Sequence, residues 1–203
     1  MKKYYAILFL LALAIFISGC IGFLTTPGDD SIVPGKGILK IYLTDSSGNY
    51  RQNDPKTYLE VNITISEIKV HLAGEDEGEW IEWPLDGEAY NLMELVNVSV
   101  LLNEGYLEPG KYTQIRLFVT KSNVFLIGGK EHITLIIPSV YETGIKLIHP
   151  FKINDGQTTE LTIDFDAEKS VVKTGNEEYK LKPVIKVTST INTDNAENVN
   201  ENE

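Results

Sequence analysis

The chain has 203 residues, of which 42% are hydrophobic and 23% charged, with 18 basic and 29 acidic side chains and a formal net charge of −11. That length and balance suit one ordinary globular domain with a real core. The acidic excess argues against nucleic acid and anionic lipid as partners of the folded body, because phosphate would be repelled, and the single cysteine excludes an intramolecular disulfide.

The first residues give the chain an address. Met1, Lys2 and Lys3 precede an apolar run from Tyr4 to Ile17, the basic-then-hydrophobic layout of a secretory leader. Small residues Ser18 and Gly19 follow, and then Cys20. The tetrad Ile17-Ser18-Gly19-Cys20 resembles the lipobox of prokaryotic lipoproteins. In such proteins the cysteine receives a diacylglyceryl group and becomes the first residue after cleavage. Residues 1–19 are thus expected to be a signal peptide and Cys20 a lipidation site, with palmitate-type acyl chains holding the protein on the outer face of the cell membrane. Each buried CH₂ contributes roughly 0.8 kcal/mol, and two chains hold where one barely does. A rival reading keeps the leader: Tyr4 to Leu24 carries no charge and reaches the ~20 residues needed to span a bilayer as an uncleaved anchor. Both readings leave Lys2 and Lys3 inside and the body outside. Losing them with the leader leaves 16 basic against 29 acidic residues, a net charge of −13.

Residues 20–36 form a lipidated Cys and flexible tether, since "IGFLTTPGDDSIVPGKG" is punctuated by Pro, Gly, Thr and Asp. At ~5–6 Å × √n it reaches roughly 20–24 Å. The body is expected over 37–190. Leu39, Ile41 and Leu43 alternate with polar partners, and "DSSGN" turns the chain. Its Asp45, Ser47 and Asn49 fall at alternate positions but lack the spacing and closing Glu of a calcium helix-loop-helix, so the stretch reads as a hairpin turn. Leu59, Val61, Ile63 and Ile65 form the next alternation, which changes phase at Ser66-Glu67 and resumes at Ile68, Val70 and Leu72. Such a step predicts a bulge or a strand that switches sheets. "AGEDEGE" is an acidic turn and "WIEWPL" a short edge. "YNLMELVNVSVLLNEG" is the one stretch with helical spacing and predicts a short helix or turn. Pro109-Gly110 then sets a tight turn before Ile115, Leu117 and Val119.

Further alternations run through Ile133–Ile137, Ile145–Ile153 and Leu161–Phe165. The last has Leu181, Ile185 and Val187 inward and Lys180, Lys182 and Lys186 outward. Residues 191–203, "INTDNAENVNENE", read as a disordered polar tail. Eight or nine short strands, turn signals between them and one short helix predict an all-β, antiparallel β-sandwich.

Four stretches, "VNITISEIKVH" (61–71), "NLMELVN" (91–97), "LEPGKYTQIRLFV" (107–119) and "LTIDFDAEKSVVKTGNEEYKLKPVIKV" (161–187), resemble a prokaryotic domain-of-unknown-function family, number 4382. The resemblance spans roughly 37–189 and implies an exported, often lipidated protein, with no activity attached to any residue. "LEPGKYTQIRL" is also similar to the Pro-Gly-x-Tyr turn of transthyretin-like and carboxypeptidase-regulatory-like sandwiches, so the sandwich is expected to be transthyretin-like or immunoglobulin-like.

Candidate chemistry is sparse. In "DFDAEKS", Asp164 and Asp166 are two apart and are expected on the solvent face of a strand, with Glu168 at its end. Clustered oxygens suit Ca²⁺, the one cofactor considered. The bland alternative is a rim neutralised by Lys169 and Lys173. A paired-carboxylate glycosidase has no further support. His71, His132 and His149 fall on separate strands with no zinc-type spacing. Trp80, Trp83 and Tyr90 offer either an aromatic platform for sugar or peptide or plain packing. Asn62-Ile-Thr64 and Asn97-Val-Ser99 are sequons that exported chains can glycosylate. The sequence supports a membrane-anchored extracytoplasmic binding or cell-envelope module, not an enzyme, whose partner is an envelope polymer or another surface protein. The alternatives are a hydrolase acting on envelope polymer and an accessory subunit of a membrane complex.

Overall fold

The structure is a computed structural model, and it describes residues 33–45, 58–74 and 78–194. The leader, Cys20, most of the tether, the "DSSGN" turn after Asp45, the acidic tip at 75–77 and the tail after Asp194 lie outside the described residues.

Two sheets enclose one core, and the fold is an all-β sandwich. The smaller sheet is built from β1 (Gly37–Thr44), β5 (Val100–Leu107), β9 (Gln157–Phe165) and β12 (Ile185–Asp194) in the order β12-β9-β1-β5. The larger is built on two long strands, β2 (Tyr58–Leu72) and β6 (Gly110–Leu126). Two short strands, β3 (Glu79–Pro84) and β4 (Ala89–Asn91), share the outer edge of β2. Likewise β7 (His132–Thr134) and β8 (Ile145–Ile153) share the far edge of β6. A small hairpin of β10 (Val171–Lys173) and β11 (Tyr179–Leu181) completes twelve strands among the described residues. The higher count than expected comes from short edge pieces that carry too few residues to show alternation.

The alternating apolar residues do what period 2 requires. Leu39, Ile41 and Leu43 are fully buried, as are Val61, Ile63 and Ile65, Ile115 and Leu117, and Leu161, Ile163 and Phe165. Leu59 departs from this and is half exposed, at the start of β2. The phase step at Ser66-Glu67 is a bulge: pairing with β6 shifts between Thr64, Ile65 and Glu67, and Ile68 and Val70 return to the core. Lys180, Lys182 and Lys186 face solvent as expected.

Three features differ from the sequence reading. First, β1 and β9 run parallel, Ile38 to Thr44 against Thr158 to Asp164, so the smaller sheet is mixed. A parallel pair needs a long crossover, and no local pattern announces which distant strand will fill that place. Second, the stretch with helical spacing has the expected short helix or turn at Leu92–Glu94, a 3₁₀ turn capped by Asn91, but its second half, from Val100, is strand β5. Among the described residues the one α-helix, α1 (Ala167–Ser170), is a single turn elsewhere. Third, the polar end is not structureless from Ile191: residues 191–194 extend β12 along β9 as far as Gln157. An edge strand held by backbone bonds on one side needs little apolar burial.

Candidate functional site

The carboxylates singled out in the sequence stand where β9 ends. Asp164 is opposite Thr44 on β1 and Lys186 on β12. It is 3% exposed, with Oδ2 3.4 Å from Lys186 Nζ. Asp166 follows the last ladder residue, Phe165, and the chain turns there into α1. Its carboxylate caps that turn, accepting from Lys169 N at 3.0 Å and from Lys169 Nζ at 2.5 Å. That hydrogen bond is the largest reason the Lys169 ammonium is held above its usual pKa. The Asp166 carbonyl accepts from Ser170 Oγ, which itself accepts from Val184 N at 2.9 Å.

The expectation that Asp164 and Asp166 share a solvent face is therefore corrected. Asp164 and Asp166 are buried, Glu168 is exposed on α1, and the two aspartates each meet a different lysine. Leaving the strand at Asp166 breaks the pleat that would have aligned them. Among the described residues no three His, Cys, Asp or Glu side chains gather as a metal site needs.

The histidines are equally dispersed. His71 Nδ1 lies 2.7 Å from Thr113 Oγ1, His149 Nε2 lies 2.9 Å from Thr190 Oγ1, and His132 sits edge-on to Phe125. The aromatic trio is split by strand geometry. Trp80 and Trp83 are three apart, so they project from opposite faces of β3. Trp83 and Tyr90 pack against the core. Trp80 turns outward, where Arg116 Cζ lies 4.3 Å from its ring and His71 tilts against it at 4.8 Å. The two sequons also differ. Asn62 is on β2, and its Nδ2 donates to Glu60 Oε2 at 3.0 Å and Asn123 Oδ1 at 3.1 Å. Asn97 is exposed in a turn with φ 60°.

A different place has the form of a binding site. The far edge of β6 is paired with β8 up to Leu117 and with β7 from Asn123. Between them Leu135 N donates to the Ser122 carbonyl at 2.8 Å. Phe118 to Lys121 have no strand neighbour on that edge among the described residues. The chain linking β7 to β8 runs alongside without joining the ladder, and two clefts of about 320 Å³ each open in the gap. They meet at Thr120 and Ile137. One end is apolar, with Phe118, Pro138 and Tyr141; the other is polar, with Lys121, Asn123 and Thr134.

The groove exists because of one extra residue. Lys121 pairs with Thr64 and Val119 with Ile65, so Thr120 has no opposite number on β2. This bulge turns the inward set of β6 from Ile115, Leu117 and Val119 to Ser122 and Val124. Bulges of this kind re-aim side chains and interrupt pairing. The sequence carries its trace, an apolar alternation that changes from odd to even positions across Thr120-Lys121.

Chemically the groove offers an unpaired backbone edge, hydroxyls and an amide, an exposed ammonium at Lys121 and an exposed carboxylate at Glu142. Its aromatic rings, Phe118 and Tyr141, are partly engaged by other groups. Phe118 has Lys69 Nζ 5.1 Å from its ring centroid. A Cβ on Gly144, which has φ +85°, would lie 3.0 Å from its ring atoms.

The family model described as a domain of unknown function, DUF4382, matches residues 36–183. No curated protein and no solved structure matches the chain. The match runs from the start of β1 through β11 and takes in the β6 gap, and with that much of its length covered the chain belongs to the DUF4382 family.

Proposed function

We propose that this protein is a lipid-anchored extracytoplasmic binding module that holds its partner in the groove beside Thr120. The observation that carries the binding half is the interrupted edge of β6. A gap in a ladder leaves N–H and C=O groups that want partners, and here the gap opens onto two clefts of about 320 Å³ each. Anchoring is supported by the basic, then apolar, then small-residue run ending at Cys20. The acidic body suits it as well, since such a body is repelled from the anionic membrane surface and stands off on its tether.

Two measurements test the two halves. Metabolic labelling with an alkyne fatty acid should tag the native chain and not Cys20→Ser; equal labelling of both would overturn the anchor. For binding, anchored wild type and Thr120→Trp are compared for the envelope components each retains from solubilised membranes. Thr120 is exposed, so the indole fills the groove without entering the core. The retained components should be lost in the variant, and identical sets would remove the groove from the account.

A further inference from the structure

We propose that the partner enters this groove as an extended peptide, adding a short strand to the free edge of β6 at Phe118–Lys121. The inference rests on reading the groove as the binding site and goes on to name the ligand class.

The stretch without a strand neighbour spans four residues, roughly 13 Å at strand rise. Alternate residues turn their N–H and C=O to that edge, while the Phe118 carbonyl accepts from Ser66 Oγ on β2 at 3.4 Å. Residues of the β7–β8 link line the opposite wall. A peptide backbone satisfies such a row in register, and its alternate side chains then point to the two sides of the added strand. The wall segment supplies apolar contacts for them. Ile137, Pro138 and Tyr141 of that segment line the clefts.

A sugar chain fits less well. Sugar rings want an open aromatic face, whereas the Phe118 ring has Lys69 Nζ 5.1 Å from its centroid and Gly144 close to its Cε2 and Cζ. Tyr141 leans on the core. The ends of the groove also carry opposite charges. Lys121 stands at the polar end and Glu142 at the apolar end, both exposed and neither ion-paired among the described residues. The charge complement is a peptide with aliphatic residues at alternate central positions, an acidic residue toward Lys121 and a basic one toward Glu142.

The experiment is a selection of displayed random peptides on the full, anchored chain in detergent micelles. Enriched sequences should show that pattern and should slow amide exchange at Phe118–Lys121. N-methylating their alternate backbone nitrogens should weaken binding by about three- to tenfold for each hydrogen bond lost. With Lys121→Glu as bait, the acidic preference at that end should reverse to basic, while Thr120→Trp should enrich nothing. No enrichment on wild type, indifference to N-methylation, or an unchanged preference with Lys121→Glu would each overturn the proposal. Slowed exchange at the same amides with envelope oligosaccharides but not with peptides would refute the peptide and keep the groove. Identical retention by wild type and Thr120→Trp in the envelope comparison would refute both.

Discussion

Trp83 on β3 lies against Gly105 on β5, so closely that a Cβ on the glycine would stand 3.0 Å from the indole Cζ2 and 3.1 Å from Cε2. The contact joins the two sheets along one side of the sandwich. The backbone of Gly105 takes no left-handed φ, so the constraint is purely one of space. Gly105→Ala should destabilise modestly and Gly105→Val by about 1–3 kcal/mol, the range for overfilling a packed contact. Urea melts check the size. Combining Gly105→Val with Trp83→Leu should recover part of the loss, because the two changes share one contact. Additive losses would mean that the indole is not the obstacle.

Tyr112 occupies the turn announced by Pro109-Gly110. Its ring is fully buried and stacked on Phe151 at 5.2 Å, and its hydroxyl donates to the Glu108 carbonyl at 3.0 Å. Burial first, then the Glu108 and Glu79 carboxylates, push its pKa up to about 12 from 10.0. The sign follows. Raising the folded pKa favours the neutral phenol in the native state, so this stability is complete below pH 10. It is lost as pH rises from 10 through about 12, where the unfolded chain ionises first. Wild type should exceed Tyr112→Phe by about 0.5–1.5 kcal/mol at neutral pH, the net worth of one hydrogen bond. That margin should shrink between pH 10 and 12 in paired urea titrations. A margin that stays constant to pH 12 would contradict the raised pKa.

These elements show what sequence patterning can and cannot reveal. Strands buried on one face, such as Val61–Ile65 and Leu161–Phe165, declare themselves because period 2 and burial are the same fact. The bulge at Ser66-Glu67 declares itself for the same reason, as a break in that period. Sites made by pairing do not. That β7 and β8 divide the edge of β6 and leave Phe118–Lys121 without a strand neighbour depends on two strands further down the chain, His132–Thr134 and Ile145–Ile153, the first only three residues long. Asp164 and Asp166 do not share a face because β9 ends at Phe165, and its alternation does not reach Asp166.

Asp166 is thereby given a structural job that can be measured. Its side chain caps α1, and losing a cap typically costs about 0.5–2 kcal/mol. Asp166→Ala should fall in that range, while Asp166→Asn, which keeps an acceptor oxygen, should lose much less. Calcium should have no part in it. A metal held by the folded state at a hundred times its Kd would add about 2.7 kcal/mol, so a chelator would lower the melting midpoint by several degrees. The expected midpoint is the same with calcium and with chelator. A drop on chelation that disappears in Asp166→Asn would restore the metal reading.

The two sequons should part company for a geometric reason. Glycosylation needs an asparagine whose Nδ2 is free to reach an enzyme in a flexible or turning segment. Asn62 spends that nitrogen on Glu60 and Asn123, within a strand that is paired on both sides. Asn97 is exposed, at a positive φ, one residue past the bridge between Asp45 and Val96. Expressed in a host that glycosylates exported chains, the protein should carry glycan at Asn97 and none at Asn62, as read by peptide mass spectrometry before and after glycosidase. Asn97→Gln should then abolish the mass shift. Asn97→Gly should abolish it too, and it should also raise stability slightly, because glycine takes a positive φ without the cost that a side chain imposes. Glycan on Asn62 would mean that β2 is open when the modifying enzyme meets it, and would place glycosylation ahead of sheet assembly.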